Sequence, residues 1–422
     1  MFATRVWTSS TALPSDYGSS ARQTSDIVTS FIANLVHGSY MDIAGVDLFC
    51  GVGGLTHGLE AAGIPVVAGI DVDPDCQYPF EANNTAEFVQ ADISEISSND
   101  IADLFPDGSW QILAGCAPCQ PFSNYNNGVD SSEMEDWALL TEFGRLVRDV
   151  EPDIVAMENV QEIRNHRVYS SFIDTLFKKE YSISINKVDC EKYGVPQSRR
   201  RLLVLASKHG EISQIDPTHT GFNGHVTVEE RIGNGTLNPI VAGEADDEDP
   251  LHRTQTLSDT NLERIKQSIP GGTWEDWDEE LVLDCHQKES GSSYDSVYGR
   301  MEWEDTAPTI TTQFYGYGSG RFGHPEQDRA ISLREGAMLQ MFPKDYSFVE
   351  EETDDISFKD IGRFIGNAVP VRLAEVIGES ILQHLDKRDV TDRTGAQDGG
   401  RNALRDVSQS QRTESSGTEP LQ

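Results

Sequence analysis

A short motif with a cysteine between two prolines is the segment of this sequence best suited to covalent chemistry. It spans residues 115–123 and reads Gly-Cys-Ala-Pro-Cys-Gln-Pro-Phe-Ser. The prolines on both sides of Cys119 stiffen the loop, which would hold this side chain outward as a nucleophile. Cys116 and Cys119 could instead form a metal or redox pair, but the chain has no second pair with zinc-ligand spacing. A buried, inert cysteine is a further alternative, and it fits Cys116 better than Cys119.

A carboxylate and two arginines follow later strands and could act on the same substrate. Glu158 comes directly after an apolar run, one predicted strand beyond Cys119, so it could reach a shared ligand. Arg199 and Arg201 stand two positions apart, so their side chains point the same way if the backbone is extended. A helix cap or a salt bridge would explain Glu158 alone, and a neutralising surface patch would explain the arginines alone. Residue types by themselves leave these alternatives open.

A glycine-rich turn after the first predicted strand could hold a nucleoside. Residues 47–54 read Asp-Leu-Phe-Cys-Gly-Val-Gly-Gly, and glycines here let the backbone approach a ligand at a helix N-terminus. The spacing is GxGG rather than the GxGxxG of pyrophosphate-binding turns, and no basic residue lies near it. Asp71 ends the second predicted strand, where a ribose hydroxyl would be held, and Asp92 follows the third, near an adenine edge. Helix capping would explain either acid singly. Acceptors at three successive strand ends favour one shared ligand, and a nucleoside with a sulfonium cation fits them.

These residues need a scaffold that brings several strand ends to one edge. Predicted strands and helices alternate through the first half of the chain, which is typical of an α/β protein with a doubly wound, mostly parallel sheet. The predicted strands are Ile43–Phe49, Pro65–Ile70, Phe88–Gln90, Trp110–Gly115, Ile154–Met157, Ile183–Val188 and Leu202–Ala206. Predicted helices begin near Leu55 and Asp75 and span Trp137–Val150, Tyr169–Lys179, Leu333–Met341 and Val371–Leu385.

Shifts in composition divide the chain into five predicted regions. Residues 1–40 form a partly disordered N-terminal extension, and residues 41–207 form the domain that carries the motifs. Residues 208–327 lose the alternation and are rich in Gly, Asn, Thr and acids, which predicts a second, smaller, irregular β-rich domain. Residues 328–386 return to the first domain, and residues 387–422 form a disordered tail. The aromatic, glycine-rich Phe314–Phe322 could be an inserted recognition loop or a flexible surface loop.

The charge of the chain is strongly negative and constrains how it meets its partners. Seventy acidic and 33 basic residues give a formal net charge of −37. The excess is spread along the whole chain, which favours the surface of a halophilic protein over one acidic tail. Six irregularly spaced cysteines do not resemble a disulfide framework, and no apolar run approaches a bilayer span or forms a secretory signal. We therefore expect a cytoplasmic protein that is not associated with a membrane and has no structural metal.

The motifs together resemble the ordered motif set of the DNA (cytosine-5)-methyltransferases. The resemblance covers most of residues 42–386 and includes an acidic residue at position 71 and Asp92-Ile93. The chain departs from the usual pattern at Cys50, where a small residue is usual, and at Ile331-Ser332, where Leu-Thr is usual. Its matching segments are DLFCGVGGL at 47–55, APCQPFS at 117–123, ENV at 158–160, QSRRR at 197–201, RAISLREGAMLQMFP at 329–343 and GNAVP at 366–370.

The resemblance implies a class I S-adenosylmethionine-dependent methyltransferase fold and a role for each motif. The Cys119 thiolate would add to carbon 6 of a cytosine extruded from duplex DNA, so that carbon 5 accepts the methyl group. Glu158 would hydrogen-bond ring nitrogen 3, while Arg199 and Arg201 hold the exocyclic oxygen and a phosphate. Residues 208–327 would recognise the target sequence. S-adenosylmethionine would be held by Phe49, Gly51, Gly53, Asp71, Asp92, Ile93, Asn367 and Val369, and the substrate also by Pro118, Gln120, Ser123 and Gln197.

The same resemblance indicates the partners of the protein. Three other functions have to be compared with DNA methylation. We expect a monomer that acts on double-stranded DNA, either beside a cognate restriction endonuclease or as an orphan methyltransferase. The first alternative is the same chemistry on tRNA, against which the large recognition region argues. A catalytically silent binding module is disfavoured by the intact cysteine, glutamate and arginines. A nicotinamide oxidoreductase is disfavoured by the GxGG spacing and by the absence of an acid–base pair for hydride transfer. Residues 366–370 could also be a simple loop before the last helix.

Overall fold

A seven-stranded sheet forms the centre of the protein. The computed structural model describes residues 43–118, 138–221, 224–288, 296–350 and 357–387. The strands of the sheet are β1 Ile43–Leu48, β2 Val66–Asp71, β3 Glu87–Gln90, β4 Trp110–Gly115, β5 Ile154–Asn159, β6 Ser182–Asp189 and β8 Arg200–Ser207. A separate pair of two-residue strands consists of β7 Gln197–Ser198 and β9 Ala307–Pro308.

The strand order predicts where ligands bind. The sheet runs β3-β2-β1-β4-β5-β8-β6. Strands β1 to β5 pair in parallel, whereas β8 pairs antiparallel with both β5 and β6. The order reverses between β1 and β4, and sheets of this kind bind ligands beyond the carboxyl ends of the strands at such a point. The predicted doubly wound, mostly parallel sheet is confirmed.

Helices cover the sheet, and two of them begin at residue types that commonly precede a helix. Gly53, with φ of 89°, precedes the first helix in a left-handed conformation that favours glycine. Ser97 and Asp100 form a reciprocal capping box at the start of the third. The helices are α1 Gly54–Ala62, α2 Gln77–Glu81, α3 Ser98–Leu104, α4 Ala138–Val150, α5 Arg167–Lys178, α6 Val228–Ile232, α7 Asp259–Gln267, α8 Leu333–Leu339, α9 Phe358–Asn367 and α10 at 371–387. None in the described part of the chain is long and apolar enough to span a bilayer.

The predicted elements match the structure closely in the first half of the chain. All seven predicted strands are present, and their ends differ by at most two residues. The helix predicted from Asp75 is divided into a 3-10 turn, Pro74–Cys76, and the short helix α2. Strand β7 and helix α9 were not predicted, and Trp137 lies outside the described residues. Long buried apolar runs are therefore located reliably, whereas two-residue strands give no periodic signal.

The second region is not β-rich, which corrects the prediction for residues 208–327. Its described part contains α6, α7, several 3-10 turns, isolated β-bridges and the two-residue β9. Turn hydrogen bonds and a buried arginine hold its backbone in place of a ladder of strands, and Arg300 donates to the carbonyls of Ile265, Ser268, His324 and Gln327. A segment organised in this way needs no alternating apolar pattern.

The aromatic segment Phe314–Phe322 is part of the interior rather than a flexible loop. Phe314 is fully buried, and Tyr317 and Phe322 are each 2% exposed. Phe314 packs so closely on Gly336 that a β-carbon there would lie 2.0 Å from its ring. The aromatic character of this segment therefore reflects core packing.

The final helices return to the first motif. A β-carbon on Gly54 would lie 2.6 Å from the carbonyl oxygen of Val369, and one on Gly58 would lie 2.3 Å from that of Val371. Glycine at these positions lets α1 contact the backbone that leads into α10. Segments at opposite ends of the described chain thus form one surface beside β1.

Candidate active site

The register of the strands brings the predicted site residues to one edge of the sheet. Leu48, at the end of β1, is level with Ile70 of β2 and with Gly115 of β4, and Gly115 is level with Met157 of β5. The glycine-rich turn, the loop after β4 and Glu158 therefore leave the sheet side by side, around the reversal of strand order. This is the position at which a doubly wound sheet binds its ligands.

The glycine-rich turn has an unusual backbone that Asp71 holds in place. Phe49 and Gly51 have φ values of 60° and 51°, and Gly53 has 89°. The Gly51 amide donates to Asp71 Oδ2 at 2.9 Å, and the Asp73 amide donates to Asp71 Oδ1 at 3.0 Å. Burial raises the pKa of Asp71, against these hydrogen bonds. Because a carboxylate can accept about four hydrogen bonds, Asp71 retains capacity for a ribose hydroxyl.

A fully buried carboxylate beneath this turn was not singled out from the sequence. Asp47 Oδ2 accepts from the hydroxyl of Thr56 at 2.8 Å, while its Oδ1 has no hydrogen-bond partner among the described residues. Burial raises the pKa of Asp47 to about 7. Above it, a β-carbon on Gly51 would meet nothing within 4 Å, and Val72, next to Asp71, is 62% exposed. Open space, an apolar side chain and an acceptor without a partner fit a nucleoside with a cationic group.

Asp92 and Ile93 make local contacts. Asp92 Oδ1 accepts from the amide of Ser94 at 2.8 Å and from its hydroxyl at 2.7 Å, which lowers the pKa of Asp92. The side chain of Ile93 is 3% exposed and packs in the core, and its carbonyl accepts from Arg145 at 2.9 Å. Asp92 thus makes the turn contact expected of a capping residue, and its contact with adenine stays a prediction.

Glu158 lies at the centre of the predicted catalytic group, between an arginine and a thiol. It is 2% exposed. Its Oε1 lies 2.9 Å from Arg201 Nε, and its Oε2 accepts from Cys116 Sγ at 2.8 Å. The structure therefore brings Glu158 and Arg201 together, as the sequence predicted, and it adds Cys116 to the group.

The loop that leads to the predicted nucleophile is fixed to β5. The side-chain amide of Asn159, which is fully buried, donates to the carbonyl of Ala117 at 3.0 Å. Pro118 follows and is exposed at this edge. Asn159 was missed by the sequence reasoning, although its place directly after Glu158 could have indicated it. Cys119, Gln120 and Ser123 lie outside the described residues.

Arg199 is placed differently from its neighbour Arg201. It is 4% exposed, and its guanidinium donates to the carbonyls of Ile310 at 3.0 Å and Ala368 at 3.4 Å. Burial lowers the pKa of Arg199 to about 10, and the nearby charge of Arg201 acts in the same direction. Its described contacts are thus with two backbone segments far away in sequence, and they give it a positioning role.

Gln197 is also buried and bonds to segments far away in the sequence. Its Nε2 donates to the carbonyl of Leu339 at 2.9 Å and to Gln340 Oε1 at 2.7 Å, and its Oε1 accepts from the Ile310 amide at 3.1 Å. The side chain is fully buried. These contacts position β7, α8 and the segment after β9, and the substrate contact of Gln197 stays a prediction.

The last motif lies beside the first, as the resemblance implies. Asn367, at the end of α9, is exposed, whereas Val369 is 5% exposed and its carbonyl faces Gly54 of α1. Gly366 contacts the backbone of Thr311 so closely that a β-carbon would lie 2.4 Å from the carbonyl oxygen. Residues 366–370 therefore pack tightly between two other motifs, which a simple surface loop would not do.

Comparison with known proteins gives one consistent result. A family profile described as C-5 cytosine-specific DNA methylase matches residues 43–383. Type II methylase M.HgiDII of Herpetosiphon aurantiacus is 52% identical over 344 residues, which cover 81% of this chain and 95% of that relative. Type II methyltransferase M.Eco47II of Escherichia coli is 27% identical over 350 residues, 81% of this chain and 79% of the relative. 

The solved structures that are similar share the fold. A DNA modification methyltransferase encoded within an E. coli prophage superposes with a TM-score of 0.61 at 23% identity, over 82% of this chain and all of that one. The Dnmt2 methyltransferase of S. pombe gives a TM-score of 0.55 at 16% identity, over 82% of this chain and 99% of that one. The expected class I methyltransferase fold is confirmed.

Proposed function

We propose that this chain, which belongs to the C-5 cytosine-specific DNA methylases, uses Cys119 to activate a flipped cytosine and S-adenosylmethionine to methylate it. Family membership makes the chain a DNA (cytosine-5)-methyltransferase, an enzyme of double-stranded DNA. The observation that supports the residue roles is the buried contact of Glu158 with Arg201 and Cys116, three positions before Cys119. In this contact, the acid Glu158, the cation Arg201 and the loop that leads to Cys119 lie together at the ligand-binding edge of the sheet.

Cys119 supplies the covalent step. Carbon 5 of cytosine is too weak a nucleophile to accept a methyl group unaided. Addition of the Cys119 thiolate to carbon 6 forms a carbon–sulfur bond and makes carbon 5 enamine-like. After methylation, loss of the carbon-5 proton to a base expels the thiolate and restores the ring. The target base has to leave the duplex because the thiolate approaches the face of its ring.

Glu158 and Arg201 stabilise the adduct from the other side of the ring. Glu158 hydrogen-bonds ring nitrogen 3, where charge develops as the thiolate adds. Arg201, 2.9 Å from Glu158, holds the exocyclic oxygen. Arg199 supports both by fixing the segments of Ile310 and Ala368 against β8. Pro118, Gln120 and Ser123, which flank Cys119 in the sequence, are expected to contact the substrate.

The residues around the glycine-rich turn fit S-adenosylmethionine, which supplies an activated methyl group when bound. Asp71 would hold the ribose hydroxyls, and the open space at Gly51 admits the ligand next to the backbone. The buried Asp47 keeps one oxygen without a hydrogen-bond partner beneath the turn. We further propose that Phe49, Gly53, Asp92, Ile93, Asn367 and Val369 contribute to the same site, with the buried Ile93 and Val369 acting through packing.

Asp71→Ala should weaken cofactor binding about five- to twentyfold with the fold intact, because it removes both a ribose acceptor and the hydrogen bond to Gly51. Titration with S-adenosylhomocysteine measures the dissociation constant, and circular dichroism reports the fold. Asp75→Ala, which removes an exposed carboxylate four residues away, is the matched control. Equal affinity in Asp71→Ala and Asp75→Ala would remove Asp71 from the site.

Cys116→Ala should lower the rate of methyl transfer about three- to tenfold, because Glu158 loses the hydrogen bond that fixes its Oε2. Cys116→Ser keeps a donor at this position and should recover most of the rate. Single-turnover transfer of a tritiated methyl group measures both variants. If Cys116→Ala and Cys116→Ser behave alike, the thiol does not orient Glu158.

The function itself is tested by sequencing DNA from a host that expresses the gene. Bisulfite sequencing should show methylated cytosines within one short sequence, and the Cys119→Ser variant should leave the same sites unmodified. Incubation of the purified enzyme with tritiated cofactor and either plasmid or tRNA should label the plasmid alone. Label in tRNA alone would overturn the proposal.

We further infer that residues 208–327 recognise the target sequence and that the enzyme acts as a monomer beside a cognate restriction endonuclease. Arg300 and its carbonyl contacts give this region a rigid frame on which recognition loops can be carried. With a net charge of −37, the chain should bind DNA through stacking and buried hydrogen bonds more than through a basic surface. Its halophilic character stays a prediction.

A further inference from the structure

An ion pair connects two segments that are far apart in the sequence and both adjoin the proposed cofactor site. Arg363 Nη2, on α9, donates to Asp73 Oδ2 at 2.9 Å, across 290 positions of the chain. The side chains are 40% and 25% exposed. Arg363 is also 3.5 Å from Asp360 and lies 4.6 Å from the ring centre of Phe364, so its guanidinium is held from several sides.

On one side, the pair fixes the loop that follows β2. Asp73 Oδ1 accepts from the amide of Asp75 and caps the 3-10 turn Pro74–Cys76, while the Asp73 amide donates to Asp71. Asp71 in turn accepts from Gly51 in the glycine-rich turn. A chain of hydrogen bonds thus leads from Arg363 through Asp73 and Asp71 to the turn that we assign to the cofactor.

On the other side, the pair fixes the end of α9. Residues four apart lie on the same face of a helix, about one turn from each other, so Arg363 and Asn367 share a face. Asn367 is exposed at the last turn and belongs to the motif that adjoins α1. The ion pair of Arg363 with Asp73 therefore also keeps the helix face that carries Asn367 turned toward the loop after β2.

We propose that Arg363 is a positioning residue for the cofactor, whose ion pair with Asp73 sets the separation between the loop after β2 and the end of α9. The proposal rests on the proposed function, since both segments are assigned there to S-adenosylmethionine. It predicts that the pair contributes to cofactor affinity and leaves the chemical step unchanged. A partly exposed pair contributes little by itself, so the expected effect is about two- to fivefold.

A double-mutant cycle on binding of S-adenosylhomocysteine tests the proposal, and the single-turnover rate is a second readout. Arg363→Met and Asp73→Asn should each raise the dissociation constant about two- to fivefold, and the double variant should be no weaker than either. Asn keeps an oxygen that can cap the Asp75 amide, so Asp73→Asn removes mainly the charge. Arg363→Lys should restore most of the affinity, and the single-turnover rate at saturating cofactor should not change.

Lys359→Met is the matched control, because Lys359 is an exposed cation on the same helix, one turn from Arg363. It changes the net charge equally and should leave affinity unchanged. Unaltered affinity in Arg363→Met, fully additive effects in the cycle, or an equal loss in Lys359→Met would overturn the role of the pair. If Arg363→Met does not fold, Arg363→Lys and Asp73→Asn are compared instead. Arg363→Lys should keep most of the affinity for S-adenosylhomocysteine, whereas Asp73→Asn should bind it about two- to fivefold more weakly. A wild-type chain that does not bind S-adenosylhomocysteine would overturn the proposed function itself.

Discussion

Cys119→Ser is expected to lower the rate of methyl transfer by at least about four orders of magnitude and to change the affinity for DNA by less than about twofold. A serine hydroxyl is hardly ionised at neutral pH, so the bond to carbon 6 does not form and carbon 5 stays unactivated. DNA binding should persist, because the recognition region and the pair of Glu158 and Arg201 are untouched. Single-turnover transfer of a tritiated methyl group and a gel-shift titration measure the two quantities.

A covalent trap gives the same prediction a direct readout. A duplex with 5-fluorocytosine at the target position cannot lose a proton from carbon 5, so the wild-type enzyme should remain attached to it when cofactor is present. Cys285→Ser, which alters an exposed cysteine outside the site, should also remain attached. Peptide mapping should place the adduct at Cys119. An adduct at another residue, or near wild-type transfer by Cys119→Ser, would refute the mechanism.

Glu335→Gln is expected to lower the free energy of unfolding by about 3–5 kcal/mol. Glu335 is 1% exposed and accepts two hydrogen bonds from the fully buried Arg329, at 2.7 and 2.8 Å, and one from the Ser332 amide at 2.7 Å. The amide substitution leaves the charge of Arg329 buried without its counter-charge. Denaturant titration measures the loss, and Glu326→Gln, at an exposed position three residues before Arg329, should cost little. Equal stability in the two variants would show that this pair is not needed for folding.

The same pair predicts how stability changes with pH. Burial would raise the pKa of Glu335, but the charge and hydrogen bonds of Arg329 outweigh it and lower the pKa to about 2. Because the folded pKa lies below the unfolded one, the contribution is present above about pH 4.5 and is lost as pH falls toward 2. Burial also lowers the pKa of His324 to about 4, so protonation of the unfolded state destabilises the fold below about pH 6.5. The Glu335→Gln variant should lose the lower of these two transitions.

The strands and the identity of the active-site motifs could be predicted from the sequence because both depend on local patterns. A buried parallel strand is a continuous apolar run, as in Ile43–Leu48, and glycine or an acid at its end marks the edge. Side-chain partners depend on segments that meet only in the folded chain. Arg199 and Arg201 look equivalent in sequence, yet Arg199 binds carbonyls 111 and 169 residues away, while Arg201 pairs with Glu158.

The second region illustrates a different limit. Glycine, asparagine and threonine between short apolar stretches suggested strands, but polar backbone groups can be satisfied by one side chain as well as by a neighbouring strand. Arg300 donates to four carbonyls and an acid. No periodic signal distinguishes such an arginine from one on the surface, so its central role becomes visible only in three dimensions.

The return of the last helices to α1 has a consequence for how genes of this family can be arranged. His384, near the end of α10, lies 3.3 Å from Ser207, which is level with Ile154 at the edge of the sheet where β1 begins. That end of α10 is about three strand spacings, or roughly 14 Å, from the first residue of β1, so a linker of about six residues could join them. A circular permutant that joins these two ends is therefore expected to keep the packing of α1 against the backbone that leads into α10. Folding of such a permutant would show that this chain does not depend on the order of its motifs.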